Sequence, residues 1–493
     1  MYKHRHGQMT VEDFILPFSG ELLSENRWVK LARLVPWDGF EEQYAEQFGE
    51  VGNPAKPARM ALGALLIQTR LGITDEETVA QIMENAYMQY FVGLHEYQKE
   101  PPFTPSMMVF FRKRITPEML MRINEEIRKR QSGSDRPNEP PSGDGSNTDK
   151  NEEAGTERVA NSGKLILDAT CAPQDIRYPT DIGLLNEARE KLEEMIDHMW
   201  AQATFSGEKP RTYREVARRD FLRFIKNRKP RGKRIRRAIR QQLGYVRRDL
   251  DTIDQMLMEL GIDCLHDALI EKLITIHRLY AQQQEMYASK THRVDHRIVS
   301  ISQPHVRPIV RGKAGRETEF GAKVAISVVE GHATIERLSW ENFNEGCDLI
   351  ECAQRYRERY GHYPSTILAD KIYRTRENRA FCKEHGIRLC GPPLGRPNAS
   401  TGPLMKKLEK MDNAERNAVE GKFGEGKRRY GLARIMTKLK ETSEVTIHLQ
   451  FLVMNLMHHL RVLFSLFFNS LRLAARFASS LPASCALLIF VGC

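Results

Sequence analysis

The stretch KLILDAT, residues 164–170, places Leu165, Ile166 and Leu167 directly before a carboxylate, Asp168. Three such apolar residues in a row read as the centre of a buried strand. An aspartate closing that strand is either a turn residue or part of a site. STILAD, residues 365–370, repeats the pattern: Ile367 and Leu368 supply the apolar run and Asp370 follows. Carboxylates at the ends of neighbouring strands of one sheet converge on one place. Two close carboxylates repel unless a hard cation lies between them, and Mg²⁺ takes a few carboxylate oxygens together with phosphates and waters.

The elements around these strands give an α/β fold class. EFGAKVAISVVEGHATIERLSW, residues 319–340, alternates Val324, Ile326 and Val328 before a hairpin-type turn at EGHA. GCDLIECAQRYRERYG reads as a helix, TRENRAFCKEHG as another, and IRLCGP as a further strand. Between the first strand and the hairpin lies a long helical stretch, so the α/β domain, residues 161–475, holds a helical insertion over about 184–300. Upstream, residues 1–130 read as an all-α N-terminal domain. Its segment PARMALGALLIQTRLGITDEETVAQIMENAYMQYFVGL has apolar residues at three- and four-residue spacing. Within it Thr74 is a helix cap with Glu77 three residues on. Residues 131–160, rich in Gly, Pro, Ser, Asn and acids, read as a disordered linker. Residues from about 404 to 440 read as basic and helical, and TIHLQFLVMNLMHHLRVLFSLFF as a buried helix. Residues 476–493 form an uncharged apolar tail but for Arg476, too short for a membrane span.

Composition bounds the partners. In 493 residues, 75 Lys and Arg stand against 64 Asp and Glu, a net charge of +11 that favours a polyanionic partner. The eight cysteines are scattered without a C-x-x-C pair, which excludes a zinc knuckle and a disulfide framework. The opening residues MYKHRHGQMT lack the apolar core of a secretory signal, and the chain reads as cytoplasmic. Nine cations crowd between Lys226 and Arg240 with no acid among them, Arg234, Arg236 and Arg237 at the centre. These read as phosphate contacts. Arg311 and Lys313, in the glycine-containing segment before the hairpin, read as a DNA-contact or entry loop. Trp340 is expected in the core. The histidine pairs His4/His6 and His458/His459 lack further ligands at metal spacing.

A third acid comes from ERNAVEGKFGEGKRRYGLARI, residues 415–435. On a helix here, Ala418, Val419 and Phe423 face a sheet while Glu420 emerges at the edge of that face. Arg416 sits four residues before Glu420 and Lys427 seven after it, along one side of the helix. Glu425 is a rival third acid without the Arg416 spacing.

Together with GITDEETVAQIMENAYMQYFVGL, PFTPSMMVFFRKRI, DATCAPQDIRYPTD and ILADKIYRTRENRAFCKEHGIR, these segments resemble the DDE-type bacterial insertion-sequence transposases. The resemblance is to the group related to families five and four. It implies a ribonuclease-H-like catalytic core in which Asp168, Asp370 and Glu420 hold two ions, Mg²⁺ or Mn²⁺. Asp168, on a central strand, is the candidate for bridging both ions, and Arg416 and Lys427 would position the DNA end. The family's third motif runs Tyr, two residues, Arg, three residues, Glu, six residues, Lys; Asn413 stands at the tyrosine position. The implied activity is cleavage of DNA at element ends and strand transfer into a target, by a homodimer or higher oligomer associated with the nucleoid and not with a membrane. The N-terminal helices would contact the terminal repeats. Two rivals remain: a DNA-binding relative that no longer cuts, and a nuclease of the same core that does not join strands.

Overall fold

A computed structural model describes residues 14–16, 20–49, 54–134, 160–202, 208–313, 316–391 and 403–480. The N-terminal part holds α1 (Arg27–Leu34), α2 (Trp37–Ala45), α3 (Ala58–Leu71), α4 (Asp75–Glu84), α5 (Ala86–Phe91), α6 (Met107–Arg114) and α7 (Pro117–Ser134). Thr74 caps α4, its hydroxyl accepting from the Glu77 N–H at 3.2 Å. Helix α7 runs four residues past the Arg130 boundary read from the sequence. The rest of the expected linker, residues 135–159, and the tail from 481 onward lie outside the described residues.

Strand β1 (Lys164–Pro173) is followed by α8 (Asp181–Gln202), α9 (Arg214–Ile225), α10 (Gly232–Leu260) and α11 (Asp267–Ser289). These four helices bury a core of their own, including Leu185, Leu192, Val246, Ile253 and Ile276. The chain then returns as β2 (Arg307–Lys313), β3 (Arg316–Val329) and β4 (His332–Ser339). Residues 307–313 are therefore a strand and not a loop. Pro308, Gly312 and a register shift between Val310 and Lys313 hide its alternation in the sequence, although Ile309 is buried and Val310 exposed. Between β3 and β4 the two-residue turn has positive φ at both positions, Glu330 (50°) and Gly331 (80°), the twist that suits a hairpin.

Next come α12 (Leu349–Tyr360), β5 (Thr366–Leu368), α13 (Arg376–Glu384), β6 (Arg388–Leu389), α14 (Pro403–Arg429) and α15 (Lys440–Ser480). The helix expected to reach residue 440 stops at Arg429. Gly431 takes φ 79° there, and the Leu432 N–H folds back to the Gly426 carbonyl at 3.1 Å, which closes the helix end.

In the sheet the order is β2-β3-β1-β5-β6, with β4 pairing β3 beyond the segment that β2 covers. Strands β1, β3 and β4 are antiparallel neighbours, whereas β5 and β6 run parallel to β1. One face of the sheet packs Leu165, Leu167, Ile367 and Ala369 against residues of α12 and α13. The other face joins α14, α15 and the N-terminal helices in one continuous core. Helix α15 is the hub of that core, touching α1, α3, α6, α7, α14 and β4.

Buried Asn455 on α15 pins these layers together. Its Oδ1 accepts from the Ala333 N–H at 2.9 Å, and its Nδ2 donates to the Ala333 carbonyl at 2.7 Å and to Asn124 Oδ1 on α7 at 2.7 Å. Asn455→Ala leaves three buried polar groups short of a partner. A loss of roughly 2–4 kcal/mol is expected, read as a lower urea midpoint at unchanged slope.

Candidate active site

Alternation along β1 fixes where its acid points. Since Leu165 and Leu167 lie on the α12–α13 face, Ile166 and Asp168 face α14 and α15. The parallel ladder pairs Lys164 with Thr366, Leu165 with Ile367 and Ile166 with Leu368, a constant offset of 202 residues. Asp370 keeps extended backbone (φ −72°, ψ 169°) just past the last pair. By alternation Asp370 stands on the same face as Asp168, beyond the paired residues of β5, and its negative charge acts on Asp168.

Each aspartate is steadied by its own backbone. Asp168 Oδ1 accepts from the Ala169 N–H at 2.8 Å, and Asp370 Oδ1 from the Lys371 N–H at 2.7 Å. Asp370 is exposed, whereas Asp168 is partly buried. Burial is the main cause that pushes the Asp168 carboxyl up to about 6. The Ala169 N–H and the positive charge of Arg416 oppose the rise, and the negative charges of Glu345 and Asp370 add to it.

Helix α14 lies across this face, tied down at two points. Lys164 Nζ reaches both Glu415 oxygens at 2.8 and 2.7 Å, and Arg388 grips Asp412 through two contacts of 2.6 and 2.8 Å. Val419 and Phe423 are buried below, whereas Ala418, expected beside them, is exposed. A helix turns by about 100° per residue, and position 418 falls off the buried stripe. Arg416 acts on Asp168 and lies 3.8 Å from Glu420, whose side chain is 58% exposed. Glu425 points elsewhere and pairs with Arg461 of α15 at 2.9 Å. Asn413 is exposed and Lys427 half-buried.

Comparison with known proteins bears on this arrangement. Residues 367–457, which carry Asp370, Arg416 and Glu420, match the family described as Transposase DDE domain. Residues 18–114 match the one described as Transposase domain (DUF772). The chain belongs to the DDE-type insertion-sequence transposases. A Rhizobium meliloti relative named uncharacterized protein ORF8 in nfe locus is 30% identical over 164 residues, 33% of this chain and 70% of that protein. No solved structure matches the chain.

The other residues singled out in the transposase sequence separate in space. Arg234 and Arg237 of α10 face a groove beside α9, whereas Arg236 stacks on Tyr287 of α11 with its guanidinium carbon 4.1 Å from the ring centroid. Their order in the chain groups the three as one cluster. Residues 234 and 236 lie about 160° apart around a helix, which divides them. Arg311 and Lys313 sit on β2, and their side chains lie outside the described residues. Trp340 is buried and donates to Glu444 Oε1 at 2.8 Å. His458 is held below its ordinary range, at about 4, chiefly by burial; His4 and His6 lie outside the described residues.

The sequence reading missed Glu345 and its partner Lys323, paired at 2.8 Å. Glu345 adds negative charge near Asp168 from the segment after β4. A lysine inside the apolar run of β3 was the available signal, since a buried lysine on a strand needs an acid.

Among the described residues no three His, Cys, Asp or Glu side chains are gathered closely enough to hold a metal ion. The donor chemistry nonetheless suits a hard divalent cation. The groups are oxygen acids, Asp168 is partly buried, and the negative charge around it exceeds what Arg416 offsets.

With its carboxyl raised from 3.8 to about 6, Asp168 binds more protons folded than unfolded between those values. Its ionisation therefore destabilises the metal-free fold as pH rises through about 6, by up to roughly 3 kcal/mol at pH 8. In chelator, Asp168→Asn should melt above wild type at pH 8, and the difference should vanish near pH 4. Added Mg²⁺ should raise the melting temperature of wild type and not of the variant.

Proposed function

We propose that this transposase cuts DNA at the ends of its element and joins the freed ends to a target, using Asp168, Asp370 and Glu420. The reading is supported by Asp168 of β1 and Asp370, just past β5, falling on the face crossed by α14, with the charges of Asp370 and Arg416 both acting on Asp168. A ribonuclease-H-like core is supported by three antiparallel strands followed by two that run parallel to the first. The N-terminal helices share their core with the catalytic part, whereas the insertion of α8–α11, with a core of its own, would be a separate domain.

Two Mg²⁺ or Mn²⁺ ions, when bound, supply the charge that activates the attacking oxygen and stabilises the leaving oxygen in displacement at phosphorus. Asp168 would contact both, because β1 is hydrogen-bonded on each side, by β3 and β5, and holds its carboxylate most firmly. Asp370 and Glu420 would each hold one. Glu420 is exposed and bound only loosely by Arg416, so its side chain is free to turn toward the aspartates. Arg416 then offers a planar fork to the DNA end and Lys427 a point charge. Glu425, engaged by Arg461, is not available for that role. Two element ends must be held at once, which calls for at least two subunits.

The test is an assay on DNA carrying the element's ends with Mg²⁺. Asp168→Asn, Asp370→Asn and Glu420→Gln should each lower cutting on the order of 10²–10³-fold, as for loss of one preorganised electrostatic contact. Glu425→Gln should stay near wild type, and chelator should abolish the reaction. Equal backgrounds for wild type and Asp168→Asn would make the protein a binder that does not cut. Cuts with no joined products would make it a nuclease.

A further inference from the structure

The helical insertion carries a surface that the site does not use. From Phe221 to Arg248 the chain has twelve lysines and arginines and not one acid. The fold sorts these charges in a way their order in the chain does not show. Helix α9 packs against α10, with Tyr245 donating to Asp220 at 3.2 Å, and the two helices border a groove. Arg223 of α9 enters it from one side and Lys233, Arg234 and Arg237 of α10 from the other. A second groove continues along α9, where Arg218, Arg219 and Lys226 join Arg223. Asp220 and Glu215 line these grooves too, well outnumbered. Arg223, Arg234 and Arg237 are all exposed.

We infer that the α9–α10 face of the insertion holds duplex DNA by its phosphates, independently of sequence. It would serve as the seat for target or flanking DNA rather than for the element's ends. This rests on the transposase reading for the nature of the polyanion. Charge complementarity carries the rest: cations on both walls of a groove suit a backbone with regularly spaced phosphates, and such contacts position a duplex without reading its bases. Exposed Leu222 and Ile225 on α9 offer a rival occupant, a second copy of the chain. Two copies meeting symmetrically through this face would bring the same arginines against each other, which opposes that contact.

The experiment measures binding of the full chain to a short duplex of arbitrary sequence, lacking the element's ends, across a range of salt. The Asp168→Asn background removes any dependence on cutting. Arg223→Gln/Arg234→Gln/Arg237→Gln should weaken binding more than about tenfold and flatten the slope of log affinity against log salt by about 2–3, since each lost phosphate contact removes roughly 0.9. Arg236→Gln, whose guanidinium lies on Tyr287, should change the slope far less. Melting curves matching the parent establish that the variants fold. An unchanged slope in the triple variant, or equal effects from Arg236→Gln alone, overturns the groove while leaving the cutting assay of the active site untouched. A changed subunit number with DNA affinity intact overturns it in favour of the copy–copy contact.

Discussion

The parallel pairing of β1 with β5 is the constraint on which the site depends. Side chains on a strand alternate between faces, so a slip of one residue would send Asp370 to the α12–α13 side and leave Asp168 alone. The apolar pattern prevents the slip. Leu165 and Leu167 must share a buried layer with Ile367 and Ala369, and a one-residue slip would break that layer. A core made of leucine, isoleucine and alanine thus sets the positions of two acids whose side chains lie on the opposite face.

Placing charge this way works against the fold. Asp168 is partly buried within reach of Glu345 and Asp370, and Arg416 opposes only part of that field. The compensation is mechanical. Lys164–Glu415 and Arg388–Asp412 tie α14 to the sheet, and Val419 and Phe423 seal the contact beneath. The helix that brings a third acid is therefore held by ion pairs lying away from the acids themselves, which leaves Glu420 exposed and adaptable.

How much of this the sequence discloses follows from range. The start of strand β1 and the cap at Thr74 are local patterns, readable in a few residues, but β1 runs on to Pro173, so Asp168 stands within the strand rather than closing it. The hairpin at Glu330–Gly331 is equally local. The 202-residue offset that pairs β1 with β5 is not, because many registers satisfy the composition and only packing selects one. Strand β2 escaped notice because Pro308 and Gly312 interrupt its alternation. The division of Arg234 from Arg236 was within reach of helical periodicity, and counting charges along the chain concealed it. Glu345 had only an indirect signal, the lysine at 323 that needs an acid; which acid answers it depends on where the turn after β4 ends up.

Helix α15 lies near the end of the chain yet fills the middle of the core shared by the N-terminal helices and the sheet, with Ile447, Met454 and Asn455 wholly buried. During synthesis, the helices made first must wait with their apolar faces uncovered until this late segment leaves the ribosome. A product released before α15 is complete would lack the piece that joins its two halves and would expose much of both. Shortened copies of the gene would then yield protein that aggregates or is degraded rather than a stable fragment competing for DNA.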